Sequence, residues 1–284
     1  MEIKLIALDM DGTTLREDHE SISPRTEKAL KDAIALGIYV VPSTGRIFGQ
    51  LPESVIDIPG VDYAVTSNGA AVINLKTGEV ISNNYIGSGC LEKIIHMITR
   101  RKIFCEIYYK GQSYAEHGYF EDLVGTKSFP QVLVDFIRNK STHVDSILEF
   151  ALTHAAEIEK INIPLLSDQR FRNLWQKFSQ IKGVTLTSAI ANNIEVNHHS
   201  ANKGEGLRQI CKILNLEAKN VMAIGDSDND RRMLEFAGFG VAMGNAPDDI
   251  KAITNKVTLS YKEDGVAHAI EKYVLAFQKT AEEY

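Results

Sequence analysis

Two short apolar runs near opposite ends of the chain, each stopping at an acidic residue, limit the possible folds more than any other feature. Ile3-Lys4-Leu5-Ile6-Ala7-Leu8 ends abruptly at Asp9, and Val221-Met222-Ala223-Ile224 runs into Gly225-Asp226. Such runs suit strands buried on both faces, as in a parallel sheet, better than half-exposed ones. After the first run, Ser23-Pro24 opens a helix with Ser as N-cap and Pro at the first helical position. Ala29, Leu30, Ala33 and Ile34 give it an apolar stripe, Gly37 stops it, and Ile38-Tyr39-Val40-Val41 comes next as a strand. Strand, helix and strand with short joints make a βαβ unit, hence a parallel sheet. Asp62 to Thr66 reads as a third strand, and Ala71–Ile73 with Val80–Ile81 as a hairpin through Lys76-Thr77-Gly78.

The middle of the chain differs. A helix near Leu91, Ile94, Ile95 and Ile98 precedes Ile103, Cys105, Ile107 and Tyr109, which alternate as a half-exposed strand does. Gly118 to His154 gives few signals. Ile158 to Ile163, Val184 to Thr187 and Ile194 to Val196 read as strands, and Phe171, Leu174, Trp175 and Phe178 recur at helical spacing. Helices mixed with strands wet on one face indicate a separate α+β domain. After Lys203 the α/β rhythm returns, with helices at Leu207–Leu214 and Met233–Phe236, a strand at Phe239–Ala242 and a last helix near Val266 to Phe277. The expected architecture is α/β: a doubly wound parallel-sheet core from residues 1–83 and 197–284, with a smaller α+β cap inserted as 84–196.

Composition narrows the function classes. The 284 residues are 44% hydrophobic and 24% charged, which excludes intrinsic disorder. A formal charge of −6 argues against nucleic acid as a partner. No stretch approaches about 18 consecutive apolar residues, and the start lacks a signal peptide's pattern, so no membrane partner and a cytoplasmic location are expected. Cys90, Cys105 and Cys211 are too scattered for a disulfide framework or a zinc site.

Polar groups gather at three strand ends: Asp9 to Thr14, Ser43 to Arg46, and Gly225 to Asp230. In an open parallel sheet, ligands bind outside the carboxyl ends of the strands, so these loops should converge. The pattern Asp-x-Asp-Gly-Thr, met here from Asp9 to Thr13, arises at a given position by chance about once in a hundred thousand. The pattern suits phosphoryl transfer, since one carboxylate can attack phosphorus while another protonates the leaving oxygen and later activates water. Asp9, Asp11 and Asp226 together would repel one another without a cation, and hard oxygen donors suit Mg²⁺. Lys203 could add a fixed cation. Thr44 and Gly45 could offer a hydroxyl and an N–H to phosphate, with a helix start behind them.

At these positions the chain resembles the haloacid dehalogenase (HAD) superfamily of phosphatases. Asp9-Met10-Asp11-Gly12-Thr13-Thr14, Thr44-Gly45-Arg46, Asn202-Lys203-Gly204 and Gly225-Asp226-Ser227-Asp228-Asn229-Asp230 match its four motifs in order. Ser67-Asn68-Gly69-Ala70 and the long insertion resemble the Cof-type branch, with its α/β (type IIB) cap. The resemblance implies an aspartyl-phosphate on Asp9, with Asp11 as general acid and base. It implies Mg²⁺ held by the Asp9 carboxylate, the Asp11 carbonyl and Asp226, with Asp230 behind them. Phosphate would meet the Met10 N–H, Thr44, Gly45, Lys203 and Asn229. The substrate class implied is a small phosphorylated metabolite, such as a sugar phosphate or phosphorylated cofactor.

A phosphomutase on the same fold would return the phosphoryl group to substrate rather than to water. A phospho-receiver or binding protein is a rival of another class, but a receiver is one small domain whose phospho-Asp Asp11 would make short-lived, and a binding protein has little need for both Asp9 and Asp11. His198-His199 reads as exposed, and Cys105 lacks a histidine partner motif. Arg46 and Asn68 either face the cleft or brace their loops.

Overall fold

A computed structural model describes residues 2–126, 138–188 and 191–276. The chain divides into two compact units, Met1–Arg46 with Leu51–Asn83 and Asn202–Tyr284, and Ile47–Gln50 with Asn84–Ala201. Along the chain the strands are β1 (Leu5–Leu8), β2 (Tyr39–Pro42), β3 (Tyr63–Thr66), β4 (Ala71–Asn74) and β5 (Glu79–Asn83) in the first unit. The second unit holds β6 (Glu106–Tyr109), β7 (Gln112–Ala115), β8 (Ser141–His143), β9 (Ile158–Ile163), β10 (Val184–Thr187) and β11 (Ile194–His198). The chain then returns to the first with β12 (Val221–Gly225), β13 (Phe239–Ala242) and β14 (Lys256–Val257).

The first unit is built on a parallel sheet in the order β14-β13-β12-β1-β2. Both faces are buried, as the apolar runs require. Ile6 and Leu8 of β1 pack with Met222 and Ile224 against Ala29, Leu30 and Ala33 of the helix Pro24–Ala35 and against Val266 and Ile270. Leu5 and Ala7 face the other way, with Leu207, Ile210, Met233 and Leu234. Each fully buried Leu or Ile contributes about 1.5–3 kcal/mol, so this sheet carries much of the core's stability. The Ser23 hydroxyl accepts the Thr26 N–H at the helix start, as the Ser-Pro pair indicates. Register sets three strand ends level. Leu8 lies opposite both Ile224 and Pro42, so Asp9, Ser43 and Gly225 leave adjacent strands side by side. β3, β4 and β5 form a separate antiparallel sheet, tied to the end of β2 by the Ser43–Val65 bridge.

Some expectations need correction. No regular helix starts behind Thr44 and Gly45; a single 3₁₀ turn, Phe48–Gln50, and the four-residue helix Glu53–Ile56 come after them. The final helix is regular over Gly265–Ile270 and widens to π-helical turns over Glu271–Leu275, and Phe277 lies outside the described residues.

The second unit is a six-stranded sheet, β10-β11-β9-β6-β7-β8, antiparallel except for β7 with β8. Ile107, Ile161, Ile163, Ile194 and Val196 cover one face with the helices Ser88–Thr99, Ile147–Thr153 and Asp168–Phe178. Alternation along the strands predicts a wet opposite face. That face is polar, but Glu106, Lys160, Glu195 and Asn197 on it are buried. β6 starts only at Glu106, leaving Ile103 and Cys105 ahead of the strand, and β11 runs two residues past Val196 to His198. The ambiguous stretch holds the helix His117–Thr126, β8 and the helix Ile147–Thr153; residues 127–137 lie outside the described residues. Among the described residues no helix is long and apolar enough to cross a membrane.

Candidate active site

Asp9 comes directly after β1, and its N–H donates to Ile224 O at 3.0 Å. Its carboxylate Oδ1 accepts from Lys203 Nζ at 2.5 Å, and the same ammonium donates to Asp230 Oδ1 at 2.7 Å. All three side chains are buried. Lys203 reaches this position because it opens the helix Lys203–Ile213, whose N-cap Asn202 accepts the Glu205 N–H through Oδ1 at 2.9 Å. Asp230 closes the loop after β12, its Oδ2 accepting the N–H groups of Asp226 and Ser227 at 3.0 Å each. Asp226 is held by the Thr13 hydroxyl at 3.1 Å and by Asn245 Nδ2 at 3.2 Å. Gly12 lies so close that a β-carbon there would stand 2.7 Å from Asp226 Oδ2, and its φ of +78° is itself one that side chains resist.

One carboxylate oxygen each from Asp9, Asp226 and Asp230 lies within 4.8 Å of the others. Burial pushes the Asp9 carboxyl well above its ordinary range, Asp230 adds to this, and Lys203 opposes it. Burial, then Asp230, raises Asp226 to about 6. Burial pulls Lys203 down, but Asp230 and Asp9 outweigh it and hold the ammonium above its usual value. One cation among three carboxylates leaves an excess of negative charge, and the hard oxygen donors fit a small divalent ion.

Asp11 does not join this cluster. Its carboxylate is gripped by Arg46, Nε to Oδ2 at 2.8 Å and Nη2 to Oδ1 at 2.7 Å, and by His19 Nδ1 at 2.8 Å. Burial pushes its carboxyl up, yet Arg46 and His19 outweigh that and hold it below the usual range. The third carboxylate of the crowd is therefore Asp230 rather than Asp11. Thr44 is buried with its hydroxyl accepting the Arg46 N–H at 3.1 Å. Gly45 lies against Asn68, whose Oδ1 accepts from Asn229 Nδ2 at 3.3 Å. Met10 is buried in the same loop.

His19 and Asn245 carry no signal in their own local sequence. Asn245 was nonetheless findable, because the loop after β13 must emerge at the same sheet edge as the others. It donates to Gly12 O at 2.9 Å as well as to Asp226, tying two of the loops together. Cys105 is buried, and burial, then Glu106, pushes its thiol up, away from thiolate chemistry.

Comparison with known proteins agrees with this geometry. The family model for haloacid dehalogenase-like hydrolases matches residues 6–270. Phosphatase YwpJ of Bacillus subtilis is 31% identical over 95% of this chain and 99% of its own length. The 5-amino-6-(5-phospho-D-ribitylamino)uracil phosphatase YcsE of the same organism is 29% identical, covering 97% of each chain. The solved structure of a haloacid dehalogenase-like hydrolase from B. subtilis superimposes with a TM-score of 0.80 at 30% identity, over 95% of this chain and 99% of that one. With its four loops on adjoining strand ends and its relatives of nearly equal length, this chain belongs to the haloacid dehalogenase-like hydrolase family, as one of its phosphatases.

Proposed function

We propose that the protein is a cytoplasmic, Mg²⁺-dependent phosphatase that hydrolyses a small phosphorylated metabolite through an aspartyl-phosphate on Asp9. The observation that carries this is the Asp9 carboxylate itself, buried at a strand end with Lys203 on one oxygen and Asp226 and Asp230 alongside. Asp9 attacks phosphorus in line as the bond to the leaving oxygen breaks, and Asp11 gives that oxygen its proton. Water then attacks phosphorus, Asp11 takes the water's proton, and the bond to Asp9 breaks to release inorganic phosphate. In the grip of Arg46 and His19, Asp11 is a carboxylate, so proton donation requires it to leave that pair.

Mg²⁺ would be held by Asp9 and Asp226, with the Asp11 carbonyl as third protein ligand. Asp230 supports rather than ligates, because one of its oxygens is taken by Lys203 and the other by two backbone N–H groups. Bound there, the ion supplies charge neutralisation for the phosphoryl oxygens and keeps Asp9 ionised. Thr44, Gly45, Lys203, Asn229 and the Met10 N–H are the phosphate contacts. Relatives include a phosphatase of a phosphorylated ribitylaminouracil, which supports a substrate of that size.

The test is phosphate release from a panel of phosphorylated metabolites, with Asp9→Asn as control and with metal removed by exhaustive chelation. Activity surviving either change overturns the proposal. Transfer back to substrate without free phosphate would instead indicate a mutase.

A further inference from the structure

We infer that Asn245 is a positioning residue for the metal site: with Thr13 it fixes the orientation of the Asp226 carboxylate and so gives the site a preference for Mg²⁺ over Ca²⁺. This deepens the Mg²⁺ reading proposed above and rests on it.

Both oxygens of Asp226 are held by neutral donors from different loops. The Thr13 hydroxyl, in the loop after β1, donates to Oδ1 at 3.1 Å. Asn245 Nδ2, in the loop after β13, donates to Oδ2 at 3.2 Å. The backbone of Asp226 is pinned as well, since its N–H donates to Asp230 Oδ2 at 3.0 Å. All of these residues belong to the first unit.

The orientation of the Asn245 amide follows from its other neighbours. Tyr261 N–H donates to Asn245 Oδ1 at 3.2 Å, and Asn245 Nδ2 also donates to Gly12 O at 2.9 Å. Turned the other way, the amide would set its oxygen against a carbonyl and a carboxylate and its NH₂ against an N–H, so every contact would become repulsive. Asn245 therefore presents a donor to Asp226. Tying the loops together needs only the bonds to Gly12 O and Tyr261 N–H. The bond to Asp226 Oδ2 is the one that reaches the acidic cluster. Asn245 itself is exposed, so it fills no space in the core.

The consequence for the ion follows from how the two cations bind. Mg²⁺ requires near-octahedral oxygens at about 2.0–2.1 Å, so it gains from a carboxylate already turned into place. Ca²⁺ accepts looser arrangements at about 2.3–2.6 Å and tolerates a carboxylate that swings. Thr13 and Asn245 are uncharged, so they fix Asp226 without cancelling the charge that attracts a cation. A carboxylate oxygen has two lone pairs, and one donor on each leaves the second available.

The experiment compares the full-length, metal-stripped protein with Asn245→Ala. It is run at about pH 8, above the value of about 6 to which burial and then Asp230 raise Asp226, so that protonation does not weigh on affinity. Mn²⁺ is bound first, and electron paramagnetic resonance follows its release as Mg²⁺ or Ca²⁺ displaces it. Each ion's dissociation constant is thus read without turnover. Asn245→Ala should weaken Mg²⁺ by about ten- to a hundredfold, the usual cost of losing a partner behind a metal ligand, and Ca²⁺ by less than about threefold. Equal weakening of both ions, which a merely structural role would give, or no weakening of Mg²⁺, overturns the inference. So does a parent protein that binds the two ions equally well. Should Asn245→Ala fail to fold, Asn245→Ser, which keeps a small polar group in the turn, is read by the same ratio. If the parent binds neither ion, the Mg²⁺ reading falls first and this inference with it; a parent that prefers Mg²⁺, with the ratio unmoved in the variant, overturns this inference alone.

Discussion

A buried lysine between two buried carboxylates holds its place only while all three charges are present. Lys203 bridges Asp9 and Asp230 without solvent, so Lys203→Met leaves both carboxylates uncompensated. We expect a loss of about 3–5 kcal/mol in urea unfolding, beyond the loss of activity. A change below about 1 kcal/mol would show that the carboxylates are compensated by something else. Asp226, raised to about 6 by burial and then by Asp230, makes the molecule pH-sensitive. The folded chain without metal keeps a proton there that the unfolded chain releases near its ordinary value of about 3.9. This group's contribution to stability therefore falls as pH rises from about 4 to 6. Metal binding needs the ionised form, so Mg²⁺ should bind more tightly at about pH 7 than at about pH 5, releasing protons as it binds. Titration calorimetry in buffers of different ionisation enthalpy measures both; pH-independent affinity would place the ion elsewhere. At this scale Asp9, Lys203 and Asp226 were legible because each lies in a compact pattern. The Asp11–Arg46–His19 grip was not, because it depends on a turn in which His19 adopts a φ of 59°.

Strand ends were the most legible elements, since register in a parallel sheet brings their loops to one edge. The loop Ser67-Asn68-Gly69 was visible as a pattern but not as a brace. Its three residues all have positive φ, Asn68 N–H donates to Thr44 O, and a β-carbon on Gly69 would stand 2.2 Å from Asn202 O. Asn202 caps the helix that starts with Lys203, so Gly69→Ala should displace that helix start. The expected effect is about 2–4 kcal/mol of destabilisation with a parallel drop in kcat, from overpacking added to left-handed strain. Thermal unfolding and steady-state kinetics on the same preparation check it, and a stable, fully active variant would refute the brace. The polar face of the second sheet is deceptive in sequence because alternation reports polarity, not exposure. Lys160 and Glu195 look like surface residues there and are buried as a pair.

Asp9, Asp11, Lys203 and Asp226 all belong to the first unit. Replacing Asn84–Ala201 by a Gly/Ser linker should thus leave a folded core that still cleaves an activated aryl phosphate while losing discrimination among natural phosphates. Binding energy from the non-reacting part of a substrate raises its rate, so good natural substrates should suffer most. Circular dichroism and size exclusion establish folding first. A folded core that kept the parent's ranking of substrates would locate specificity in the core loops. The order of motifs indicates an insertion, but it puts residues 197–201 in the core, and the structure groups them with the second unit. What that order could not disclose is the small segment Ile47–Gln50, which leaves the core directly after Arg46 and belongs to the second unit, with Gly49 N–H donating to Gly111 O at 2.8 Å.

That short excursion bears on how such proteins recombine. The second unit is encoded in two pieces, a tetrapeptide and a long insertion, separated by the stretch Leu51–Asn83. Transplanting only the long piece from a relative would pair a foreign hairpin with the resident tetrapeptide. A chimera that moves both pieces together should express and fold better than one that moves the insertion alone, so the natural unit of exchange is discontinuous in the gene.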